Sequence, residues 1–213
     1  QIADGTAGRN TQDYDAIKRF AQKDMTADVR ALLNKHITNN HLCTFLLRMI
    51  WQGEMTEALP EVLQIALSNE AQEDQRIAAF RALNVISTPE DRRTVRNSFL
   101  NEATELNREL LAELLDSEQS NTETIKWLIA ALEKCQPKAR FSIEHLSYNL
   151  LEFILRTPEE LLPNLVKAFD ALLKRPPVID RIDSEVSEKF EWLLTTSILA
   201  VERLAVSRNP AAL

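Results

Sequence analysis

Apolar residues recur three and four apart along almost the whole chain and alternate with polar ones almost nowhere. Positions three and four apart share one side of an α-helix, so this period predicts a succession of helices, each burying one face. Residues 1–10 lack the period and carry Gly5 and Gly8, which reads as a tail or linker. Residues 11–213 read as a single helical-repeat domain. Tyr14, Ile17, Phe20 and Ala21 form a first face. Thr26 stands where an N-cap is needed for a helix that carries Val29, Leu32 and Leu33. Leu42, Phe45, Leu46, Met49 and Ile50 predict a buried helix, with Gly53 as its left-handed C-cap.

The pattern continues with clear punctuation. Pro60 stands near the start of a helix running to Leu67, where a missing N–H costs nothing. A short connection leads to a second helix from Asp74 to Leu83, so the two are expected to be antiparallel neighbours. Thr88-Pro89-Glu90 opens a helix towards Leu100. Leu106, Leu110, Leu111, Leu114 and Leu115 mark the next. Asn121 or Thr122 caps one carrying Ile125, Leu128, Ile129 and Leu132. Ile143, Leu146, Leu150, Phe153 and Ile154 make another stripe. Thr157-Pro158-Glu159-Glu160 starts a helix through Leu173 that Pro176-Pro177 stops. Residues 178–183 read as a connector. Ser184 reads as the cap of a last long helix carrying Val186, Phe190, Leu193, Ser197, Val201 and Leu204. The expectation is ten or eleven helices and essentially no strand.

Composition narrows the fold further. The chain has 213 residues but only three glycines, and two of those lie in its first ten. Hairpin turns and phosphate-cradling loops lean on glycine for positive φ, so a β-rich or nucleotide-binding fold is not expected. The net charge is −7, with 12 basic and 13 acidic residues through Leu100 and 13 and 19 after it. Nucleic-acid binding draws its free energy from Lys and Arg on phosphates, and an acidic chain without a basic stripe is poorly built for it. Cys43 and Cys135 are too few and too far apart for a disulfide framework or a zinc pattern. They fit a reducing, cytoplasmic setting. No stretch approaches the roughly 20 apolar residues of a membrane span. The opening at Gln1 rather than Met fits a segment of a larger protein.

Stacked helix pairs of this kind make an α-solenoid. The segment from Leu59 to Ile86 resembles a HEAT repeat. Leu59, Pro60 and Leu63 stand on its first helix, and an Asp-x-Arg-Ile-Ala-Ala-x-x-Ala-Leu run from Asp74 to Leu83 on its second. The resemblance implies Asp74 at the inter-helix turn and Arg76 just inside the second helix. Asp28 to Leu33 is a weaker echo, and Leu161 to Leu165 echoes a first helix alone, so the array is irregular. The block from Leu46 to Gly53, with Leu67 and then Arg76 to Leu83, is also similar to the helical arms of large bacterial STAND or NACHT-type ATPases. That likeness implies a ligand-sensing or docking arm, and no part of the chain resembles the ATPase module.

Candidate chemistry is sparse. His36, His41 and Cys43 lie close in sequence but fit no common zinc spacing. Glu102, Glu105, Glu109 and Glu113 fall three, four and four apart, which predicts an acidic line along one helix. It is either a solvated face or a ridge for a basic partner. Arg92, Arg93 and Arg96 are the densest basic cluster and suit an acidic partner or a phosphate, or pairing with Glu90, Asp91 or Glu102. Trp51, Trp127 and Trp192 lie in apolar helical patterns and are expected in cores. The sequence therefore points to a non-catalytic scaffold or docking arm that needs no cofactor or metal and binds a protein partner. The rival readings are a nucleic-acid-associated HEAT-like protein and a small all-α enzyme whose site is assembled from distant residues.

Overall fold

A computed structural model describes residues 14–139, 145–181 and 184–207. Eleven α-helices dominate these residues, joined by a single antiparallel strand pair. The protein is all-α in class. The chain folds as two compact units, one ending at Phe99 and the other starting at Leu100.

The first unit holds α1 (Tyr14–Phe20), α2 (Thr26–Lys35), α3 (Asn40–Gly53), α4 (Leu59–Leu67), α5 (Glu73–Ile86) and most of α6 (Pro89–Leu100). Helix α3 packs on α1, α2 and α5, and α4 packs on α5 and α2. Leu46, Leu47, Ile50, Val62, Ile65, Ala79 and Leu83 fill the space between them. The alanines Ala78, Ala79 and Ala82 are all buried, which lets α5 lie close to both α3 and α4. On α1 the expected face is incomplete: Ile17 and Ala21 are buried, but Phe20 is exposed. On α2 likewise, Val29 and Leu33 are buried and Leu32 is exposed.

Helix ends in this unit are closed by near neighbours. The Asn39 side chain accepts from the Leu42 N–H at 3.1 Å. Thr88 and Asp91 form a reciprocal capping box: the Thr88 hydroxyl oxygen accepts from the Asp91 N–H at 3.2 Å, and the Thr88 N–H donates to Asp91 Oδ2 at 2.9 Å. Thr26 differs from its expected role. The chain enters α2 through a 3-10 turn, Lys23–Met25, so Thr26 is already helical and its hydroxyl donates to the Lys23 carbonyl at 2.6 Å. Gly53 also differs. The left-handed residue is Glu54, with φ 49°, and Gly53 is the last residue of α3. What Gly53 supplies is space: a Cβ there would lie 2.9 Å from Met55 Cε and 3.1 Å from the Ala21 carbonyl oxygen.

The second unit holds α7 (Arg108–Asp116), α8 (Thr122–Lys134), α9 (His145–Arg156), α10 (Leu162–Leu173), β1 (Val178–Arg181), β2 (Ser184–Ser187) and α11 (Leu194–Val206). Helix α9 packs on α7 and α11, and α10 packs on α11 and α8. Its core includes Leu111, Leu115, Leu128, Leu132, Leu150, Phe153, Leu165, Phe169 and Leu204. Asn121 is the cap of α8, accepting from the Thr124 N–H at 2.9 Å.

Two expectations fail in this unit. The segment read as a connector forms a strand instead, Val178 pairing with Ser187 and Ile179 with Val186. Ser184 opens β2 instead of a helix; α11 starts ten residues later, at Leu194. The spacing of Val186 and Phe190 imitates a helix face because both are buried, one on the strand and one just before the 3-10 turn Glu191–Leu193. Residues 1–10 and Ile143 lie outside the described residues.

Candidate functional site

The structure disperses the residues that the sequence grouped. On α6, Val95 and Phe99 face the core, and Arg96 shares that side at 6% exposure. Arg93 is exposed and pairs with Glu90 at 2.7 Å. Arg92 turns back to donate to the Ser87 carbonyl at 3.3 Å. The three arginines share one side of α6 by spacing, with Arg96 buried and Arg92 and Arg93 each bonded to the residues that open the helix.

The acidic line also breaks. Asn107 caps α7, its side-chain oxygen accepting from the Glu109 and Leu110 N–H groups at 2.9 and 3.1 Å. Glu102 and Glu105 therefore precede the helix instead of riding on it. Glu109, in the first turn, contacts His145 Nδ1 at 2.7 Å. Glu113 is buried at 9% exposure. The sequence signal that marks this start is Asn107 itself, a strong N-cap type three residues ahead of Leu110.

The two cysteines are buried and unbridged. Burial pushes the Cys43 thiol up to about 11, against a weaker opposing bond from Gln75, so it stays protonated at neutral pH. A protonated, enclosed thiol is a poor nucleophile and a poor metal ligand. His41 beside it is exposed and His36 half-buried. Among the described residues, no group of three or more His, Cys, Asp or Glu side chains is placed to hold a metal ion. No helix among them is long and apolar enough to cross a membrane.

A cluster that sequence reading missed gathers at the end of α8. Leu106 joins this end through an isolated parallel bridge opposite Cys135: the Leu106 N–H donates to the Lys134 carbonyl at 3.0 Å, and the Gln136 N–H donates to the Leu106 carbonyl at 3.0 Å. Lys134 reaches back to the Leu100 carbonyl at 2.9 Å and to that of Glu102. The Arg108 guanidinium lies 4.1 Å from the Trp192 ring centre and donates to the Gln136 carbonyl at 3.2 Å. Lys189 donates to the Glu133 carbonyl at 3.3 Å and lies 3.7 Å from Glu105, while Arg175 pairs with Glu133. Each of these cations faces a carbonyl, a carboxylate or a ring of the same unit. The arrangement joins loops and needs no ligand to balance it. It was invisible in sequence because its partners lie far apart along the chain.

Among the charged groups on its surface, the second unit also exposes apolar side chains. On α9, Tyr148 and Leu155 lie seven residues apart, two turns along one face, and both are more than half exposed. On α11, Leu194, Ile198, Val201 and Ala205 fall four, three and four apart, away from the buried Thr196, Ala200 and Leu204. Ile198 is 56% exposed and Val206 86%. Arg203 on the same helix is turned inward, donating to the Ile154 and Thr157 carbonyls at the end of α9, the latter at 2.8 Å. No protein-family model matches this sequence, and no curated protein or solved structure gives a significant match.

Proposed function

We propose that this chain is a non-catalytic interaction module, an irregular HEAT-like α-solenoid serving as a docking or sensor arm of a larger protein. The packing order supports the architectural part. Within the first unit α1, α3 and α5 pack in series, with α2 on α4. Within the second, α7, α9 and α11 pack in series, with α8 on α10. Contact between every second helix is how stacked helix pairs bury a continuous core. On the α4–α5 pair, Asp74 lies exposed in the first turn of α5, one residue inside the helix and past the inter-helix turn that the resemblance implies, and Arg76 is buried with its guanidinium 5.7 and 5.8 Å from the Phe80 and Phe99 rings.

The observation that carries the interaction role is the outward apolar stripe of α11. The stripe runs about three turns, with Leu194 and Val201 half-buried and Ile198 and Ala205 exposed, and apolar groups left in water at helical spacing are retained where something covers them. The test is recovery of partners from native lysate on the purified chain and on Ile198→Asp, compared by quantitative mass spectrometry. A defined set of proteins retained only by the unaltered chain is expected. Identical sets on both baits would remove the α11 face from the proposal.

A further inference from the structure

We draw no further inference here: the strongest candidate, the apolar stripe of α11 with exposed Ile198 and Val206, belongs to the docking face already proposed, and nothing in the structure shows what covers it.

Discussion

The two units cap the starts of their helices alike and close the ends differently. Asn39 and Thr88 in the first unit, and Asn107 and Asn121 in the second, each take an N–H two or three residues on. At the C-termini of α3 and α5 the first unit uses its own adjacent chain. The Met55 N–H returns to the Ile50 carbonyl at 3.1 Å, and Ser87 returns both its N–H and its hydroxyl to the Leu83 carbonyl. The second unit reaches across itself. Arg203 closes α9 from 46 residues away, Arg156 donates to the Asp116 carbonyl from 40, and Lys189 donates to Glu133 from 56. A cation on a helix C-terminus answers both the orphan carbonyls and the negative end of the dipole. Local closure occurs in both, as at Thr157, whose hydroxyl donates to the Phe153 carbonyl at 2.8 Å. The first unit has a distant neutral donor, Gln75 on the Ile37 carbonyl at 2.8 Å. What the second unit adds is basic side chains tying helix to helix.

The largest effect should come from cutting one such tie. Arg203→Met keeps the aliphatic stem and removes both charge-assisted bonds to the end of α9, a loss of about 2–3 kcal/mol. Arg203→Lys, a point charge in place of a fork, should restore only part of that. The counterpart in the first unit is Ser87→Ala, which leaves the backbone closure in place and should cost about 0.5–1 kcal/mol. Urea unfolding followed by far-UV circular dichroism measures all three. Equal losses at Arg203 and Ser87 would erase the distinction between the units.

Local closure in the first unit depends on room as well as on hydrogen bonds. An alanine is ordinarily the better helix residue, by about 1 kcal/mol over glycine. At Gly53 the added Cβ meets Met55 Cε, which can move, and the Ala21 carbonyl, which is backbone. Crowding therefore wins, and Gly53→Ala should destabilise by about 1–2 kcal/mol. A gain in stability instead would show that α1 yields freely. Thr88→Ala comes next, at about 1 kcal/mol, because it opens a capping box whose other half holds the Asp91 carboxyl below its usual range through the Thr88 hydroxyl and N–H. Asp91→Asn should then add little further loss, since the pair acts as one unit.

The same contrast explains what could be read from sequence. Asn121 and Thr88 were legible as caps because the N–H each accepts is three residues ahead. The apolar stripes of α3, α7 and α10 were legible because burial follows the helical period. Arg108, Lys134 and Arg203 were not, since nothing in a sequence pairs an arginine with a carbonyl dozens of residues away. The strand pair was missed for a related reason: Ile179 and Val186 answer each other across the two strands, while Val186, Phe190 and Leu193 also keep a helical interval. The acidic line failed because a period was carried through Asn107 without asking where the helix starts. The α11 face lay within the apolar pattern, but the pattern was read as one stripe, and the helix is apolar on two sides.

The smallest effect, and the one that tests whether the first unit has any tie of the second unit's kind, concerns Arg30 and Glu61. They lie 31 residues apart, with Arg30 Nε and Nη2 donating to the same Glu61 oxygen at 2.9 and 2.8 Å. Burial works to raise the Glu61 carboxyl, but the Arg30 bond, a backbone N–H, the Arg30 charge and Asn34 together bring it below the usual range. A carboxyl held low in the folded state stabilises fully above its unfolded value, about 4.3, and loses that contribution as pH falls through the folded value. Arg30→Met removes the chief counterweight and leaves burial to raise the carboxyl. The stability gap between the unaltered chain and Arg30→Met should therefore be widest at neutral pH and narrow as pH drops below about 4.3. The effect is modest because the Arg30 side chain is 37% exposed and water screens the pair. Urea midpoints taken across the acid range read it directly. A gap that stays constant with pH would assign the contribution of Arg30 to its stem packing, and would leave the first unit without a charged tie between helices at this position.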